Sequence, residues 1–148
     1  MPALLHDAST RDSIRGRIQQ LRADSPRRWG KMSVDQMLWH VNQSLANALG
    51  DFRPKPVKMP LPGPLIKFFA LNMPWPRGAP TAPEFKPGER YSFEAERARC
   101  LALIDRVVAK RIDDPQWEPS AGFGIMSGRD WSRLQAKHLD HHLRQFSV

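Results

Sequence analysis

Five histidines and one cysteine are the residues of this 148-residue chain best suited to hold a metal, and three of the histidines crowd into Lys137-His-Leu-Asp-His-His-Leu-Arg-Gln-Phe146. His138 and His142 are four apart, so a helix puts both rings on one face, the spacing by which paired imidazoles grip a divalent cation. On a helical wheel the two fall at the centre of an apolar arc with Trp131, Leu134 and Phe146, while Arg133, Lys137, Asp140 and Arg144 lie opposite. Burying two imidazoles is costly unless their nitrogens find partners. A metal satisfies them directly, but two histidines make a weak site, and a third ligand must come from another helix.

His40 is the only other histidine inside a helical pattern. It shares its sector of the wheel with Gln36, Gln43 and Asn47, beside Ser44, which makes it either a solvent-facing residue or part of a polar inner face lining a cavity. His141 lies at the edge of the apolar arc, poorly placed to join His138 and His142 on one ion. It can support a ligand, shuttle protons near an open coordination position, or simply fill an interface. His6, in the N-terminal lead-in, reads as a solvated histidine.

These residues need helices to position them, and the chain supplies four with apolar 3.6-residue periodicity and no alternating strand pattern. The first runs from about Ser9 to Leu21 and stops before Ser25-Pro26. The second opens at Ser33, which has capping-box spacing to Gln36 and staple spacing from Met32 to Met37, and ends at Gly50. The third starts at Ser92, with Phe93, Leu101, Ile104, Val108 and Ile112 as its stripe, and closes at Asp113-Asp-Pro115. The last opens at Ser127, with Asp130 three residues on, and continues to Phe146. Residues 54–91 form a proline-rich crossover, with ten of the fourteen prolines between Pro54 and Pro87, which excludes a long helix or a central strand there. Within it Leu65–Asn72 forms a short apolar helix, and Phe68, Phe69 and Trp75 are expected to tuck inward. The fold class is all-α: a four-helix bundle with one long crossover carrying a short extra helix, in a single domain over residues 1–148.

The string Arg28-Trp-Gly-Lys-Met-Ser-Val-Asp-Gln-Met-Leu-Trp-His40, followed far downstream by Trp131-x-x-Leu-x-x-Lys-His-x-x-His-His-Leu-x-Gln-Phe146, resembles the DinB/YfiT-like superfamily of metalloenzymes. More narrowly it resembles a bacterial branch ending in His-x-x-His-His-Leu-Arg-Gln-Phe. The resemblance covers the second and last helices well, the Phe123-Gly124 approach moderately and the crossover hardly at all. It implies a four-helix bundle whose divalent metal is held by one histidine of the second helix and a His-x-x-x-His pair of the last, here His40, His138 and His142. One departure stands out: the branch often has a histidine before the proline preceding its Phe-Gly, where this chain has Glu118-Pro119.

Three neutral imidazoles leave an ion with open positions, as in catalytic rather than closed structural sites. Zinc or nickel is expected first, with iron or manganese also compatible. The resemblance implies either hydrolysis or transfer to a low-molecular-weight thiol, and an alternative is a non-catalytic bundle that binds a metal or small ligand. No carboxylate is well placed as a general base, since Asp140 is on the opposite face and Asp35 is in the first turn of its helix. This leans toward thiol chemistry or an unaided metal hydroxide. Gln36, Gln43, Asn47 and Gln145 are the neutral groups that could surround the metal or substrate, along with His141. No residue is singled out as catalytic.

The lone Cys100 excludes disulfides, thiolate-rich zinc sites and iron–sulfur clusters, and reads as a small core residue. The net charge of +8 is spread along the chain without a run of like charges, which describes a solubilising surface. With no recognition motif beyond the Arg27-Arg28-Trp29 cluster, no nucleic-acid partner is expected. No secretory leader is visible, and Leu65–Leu71 is far short of the roughly 20 apolar residues that span a bilayer. The expected setting is cytoplasmic, with no membrane partner. A small-molecule substrate is expected, and a homodimer is compatible.

Overall fold

A computed structural model describes residues 2–148. Five α-helices form: α1 (Ala8–Gln20), α2 (Val34–Leu49), α3 (Gly63–Asn72), α4 (Phe93–Ala109) and α5 (Gly128–Gln145), with a 3₁₀ turn at Pro83–Phe85. No strand forms among the described residues, and a single isolated bridge pairs Ser120 with Gly124. The chain is therefore all-helical, a bundle of α1, α2, α4 and α5 with α3 laid on α5. Among the described residues, no helix is long and apolar enough to cross a membrane.

The helix ends follow their local chemistry. At the start of α2, Gln36 Oε1 accepts from the Ser33 amide at 3.0 Å, and Gly50 closes the helix at φ +80°, a left-handed conformation that favours glycine. At the start of α5 the box is reciprocal: Ser127 Oγ accepts from Asp130 N at 3.0 Å, and Asp130 Oδ2 accepts from Ser127 N at 3.1 Å. Helix α4 stops at Ala109, three residues short of the expected stripe through Ile112. The carbonyls just past its end are satisfied by side chains. The His6 ring bonds to Lys110 O at 2.9 Å, and the Trp117 indole donates to Arg111 O at 3.2 Å.

Val34, Met37, Leu38, Val41, Leu45 and Ala48 of α2 meet Cys100, Leu103, Ile104 and Val107 of α4 and Trp131, Leu139 and Leu143 of α5 in one core. Cys100 is wholly buried there, as a core residue should be. The crossover wraps this bundle as a strap. Its C-terminal end is fixed by Asp35, whose carboxylate accepts two hydrogen bonds from Arg90 Nε, one from Arg90 Nη2 at 2.9 Å and one from Tyr91 N at 2.8 Å. Its middle is fixed by Val57 N donating to Ala121 O at 2.8 Å and by the Lys67–Asp130 ion pair at 3.1 Å. Of the three aromatic residues expected to turn inward, only Trp75 does. Phe68 and Phe69 are 56% and 45% exposed, because the side of α3 facing α5 is the one carrying Ile66, Lys67, Ala70 and Leu71.

Candidate metal centre

Helix α2 delivers His40 and α5 delivers His138 and His142 to one buried point, where the three ring centroids are 4.8 Å apart in every pair. One nitrogen from each ring can be chosen so that all three lie within 4.8 Å of one another. Nε2 of His40 is 2.9 Å from Nε2 of His138. Of the two readings open for His40, the structure selects the inner face, since only 6% of the residue is exposed. The strap explains this: Phe85 O lies over α2 and bonds to His40 Nδ1 at 2.9 Å.

Those contacts fix the tautomers. A carbonyl can only accept, so Nδ1 of His40 carries the proton and Nε2 presents its lone pair inward. Gln145 does the same for His142. Its Nε2 donates to Trp29 O at 2.9 Å, which leaves Oε1 to accept from His142 Nδ1 at 2.7 Å. Nε2 of His142 is then also a free lone pair. A partner that orients a ligating imidazole through its second nitrogen is a recurrent requirement of metal sites.

Electrostatics favour the same protonation state. Burial lowers the pKa of His40, assisted by His141 and opposed by the Phe85 carbonyl. It pushes His138 well below the usual range, with His142, His40 and His141 adding to the effect. Burial also brings His142 down to about 3, with His40 acting in the same direction and Gln145 against it. Three neutral imidazoles, two of them with lone pairs directed inward and no carboxylate among them, are a donor set suited to a borderline divalent cation.

The family model described as the DinB superfamily matches residues 8–146. The chain belongs to the DinB superfamily. No curated protein and no solved structure matches it.

The remaining site candidates in this DinB-superfamily chain are placed unevenly. Gln145 stands beside His142, as described above. His141 is buried with its ring 5.1 Å from that of His142, and it lies 5.6 Å from both Trp29 and Trp75. Gln36 is committed to its helix cap and to Glu89 O at 2.9 Å, Gln43 accepts from Arg99 at 3.0 Å, and Asn47 donates to Phe52 O at 3.1 Å. Neither carboxylate weighed as a base is free: Asp140 pairs with Arg17 and Arg144, and Asp35 holds the strap. At Glu118 the side chain pairs with Arg53, and the carbonyl accepts from the Trp131 indole at 2.7 Å. His6 is not solvated. Its ring bridges Ser132 Oγ on α5, at 2.9 Å, and Lys110 O at the end of α4, so it pins the N-terminal lead-in to the bundle.

Three contributors to the site are not marked as such by the sequence: Trp29, the Phe85 carbonyl, and Trp75, which is expected inward but not beside the histidines. Trp75 packs 5.6 Å from both His138 and His141. Trp29 faces His141, carries the Arg77 guanidinium 4.6 Å over its ring and anchors Gln145 through its carbonyl. A signal for Trp29 did exist, since Arg28-Trp-Gly lies within the string shared with the family. Gly30 follows at φ +80°, where a Cβ would come within 2.8 Å of Gln145 Nε2. Glycine is needed there twice over, for the left-handed backbone and for the close approach.

Proposed function

We propose that this DinB-superfamily protein is a metal-dependent enzyme in which His40, His138 and His142 hold one divalent cation, zinc or nickel before iron or manganese. The observation that carries the reading is the convergence of the three buried imidazoles, with His40 and His142 each held at Nδ1 so that Nε2 points inward. A cation with three imidazole ligands and open positions supplies Lewis-acid activation of a water or a substrate thiolate. The chain's own part is to keep the rings neutral and oriented, through Phe85 O and Gln145, and to wall the centre from bulk water with Trp29, Trp75 and the strap. Among the described residues, no carboxylate joins the three histidines. This favours transfer to a small thiol, whose sulfur needs no separate base once ionised, over hydrolysis relying on a general base.

A second reading deserves a place because His40 Nε2 and His138 Nε2 are within hydrogen-bonding distance at 2.9 Å. A proton on His138 Nε2 would join the two rings without any metal, and the bundle would then be a non-catalytic module. Elemental analysis separates the readings. Wild-type protein should carry close to one equivalent of divalent metal after exhaustive dialysis, and His142→Ala should carry little. Equal, near-zero metal in both proteins would leave the hydrogen-bonded network as the correct description. Metal at one per chain with no turnover of thiol-transfer or hydrolysis substrates would assign a binding role instead.

A further inference from the structure

Helix α3 is turned the wrong way round for a helix facing water. Leu65, Phe68 and Phe69, at i, i+3 and i+4, form its outward face and are 41%, 56% and 45% exposed. Its only charged residue, Lys67, is on the inward side, bonded to Asp130 and to Ile125 O. The apolar surface continues beyond the helix. Ile125, reached through Lys67, is 86% exposed, and Met73, just past the helix end, is 50% exposed. On the other side, Met59 and Leu61 are 40% and 44% exposed and share a groove with Gly63 and Gly124. Scattered exposed apolar residues need no explanation, but seven large ones clustered around a single short helix do.

The surroundings of this face are basic. Between Arg53 and Arg90 the strap has seven basic residues against two acidic ones. Lys58, next to the exposed Met59, forms no ion pair among the described residues. From α5, Arg133 and Lys137 donate to carbonyls at the C-terminal end of α3, Arg133 to Leu71 O and Lys137 to Ala70 O and Met73 O, and neither meets a carboxylate. They suit the negative end of the helix dipole and leave two more positive charges at the margin of the apolar face.

We infer that the outward face of α3, with Leu65, Phe68, Phe69, Met73 and Ile125 and its unpaired basic rim, docks on an anionic phospholipid surface. A second copy of the chain fits less well, because an isologous contact would set two positively charged straps against each other. Lipid headgroups supply the negative charge, and the boundary beneath them accepts Leu and Phe without a matching groove. A helix too short to span a bilayer can still lie on its surface. This inference is independent of the metal reading, and its test needs no activity.

The full-length protein is to be co-sedimented with vesicles of phosphatidylcholine alone and with vesicles containing about one third phosphatidylglycerol, at low and high salt. Binding should require the anionic lipid and fall at least tenfold as the salt is raised. Phe68→Ser with Phe69→Ser should lower the partition coefficient at least tenfold while helicity and thermal midpoint stay at wild-type values. Lys58→Glu should lower it less. Absence of lipid-dependent sedimentation, or retention of full binding by the double Phe variant, overturns the inference. So does a wild-type dimer, found by sedimentation velocity without vesicles, that the double variant converts to monomer, because then a second copy covers the face. Binding to polyglutamate as tight as to the anionic vesicles would assign the face to an acidic protein and overturn it equally.

Discussion

Replacing Gln145 by Leu tests the centre without touching a histidine. The side chain is buried and makes two hydrogen bonds, one to His142 Nδ1 at 2.7 Å and one to Trp29 O at 2.9 Å. Leu fills a similar volume but leaves an imidazole N–H and a carbonyl without partners, at about 1 kcal/mol each. A loss of about 2 kcal/mol corresponds in a domain of this size to a fall of about 4–8 °C in thermal midpoint. The same change frees the His142 ring to rotate and to move its proton, and loss of such an orienting bond weakens metal binding about 10- to 100-fold. Gly30→Ala should push both readouts the same way, because its Cβ would meet Gln145 Nε2 at 2.8 Å. Zinc affinity measured by competition with a chromophoric chelator, beside thermal denaturation of the metal-free protein, separates the two effects. If Gln145→Leu melts lower as calculated yet binds zinc within twofold of wild type, the tautomer argument is wrong. If neither quantity moves, the two hydrogen bonds contribute nothing in solution.

Burial works to raise the pKa of Asp35, but hydrogen bonds from Arg90 and from Tyr91 N outweigh it and hold the carboxyl far below the usual range. Its stabilising contribution is therefore complete above the unfolded value near about 3.9 and is lost as pH falls below it. Asp35→Asn should cost about 1–3 kcal/mol at neutral pH, and the wild type should lose that advantage in denaturant titrations below about pH 4. Burial pushes the Cys100 thiol up to about 12, so an aromatic disulfide reagent at about pH 8 should label it only after unfolding; rapid labelling of native protein would contradict its place in the core. Gly128→Ala should destabilise by about 3 kcal/mol, since the added Cβ would run into Ile112 O and the Trp117 indole nitrogen. A denaturation midpoint equal to wild type would show that the α5 entrance is less tightly packed than described.

Much of the bundle was legible because its signals are local. Capping at Ser33 and Ser127, termination at Gly50 and the pairing of His138 with His142 depend on residues within one or two turns. Errors arose where the deciding contact lies far away in sequence. Helix α4 ends at Ala109, and the carbonyls beyond it are taken by His6 and Trp117, partners that no periodicity within α4 could reveal. The apolar character of Phe68 and Phe69 predicts burial, but α3 is apolar on both sides. Its orientation is decided by polar anchors, Lys67 to Asp130 and Arg133 and Lys137 to its final carbonyls.

The ambiguity of His40 has the same origin and a larger consequence. A wheel places it among Gln36, Gln43 and Asn47, a sector that would face water in an isolated α2. It becomes an inner face because α5 sets His138 and His142 against it and the strap returns over α2, bringing Phe85 O to His40 Nδ1 and Trp75 against His138. The strap is held in that position by Asp35, in the first turn of the helix that carries His40, through Arg90 and Tyr91 just beyond the 3₁₀ turn. One carboxylate that reads from sequence as a remote and misplaced base therefore anchors the segment whose Phe85 carbonyl holds the proton of the third imidazole. The prolines that erase periodicity from residues 54–87 serve the same end, because a segment with few amide donors and restricted backbone freedom loses less entropy when it is laid down as a fixed cover.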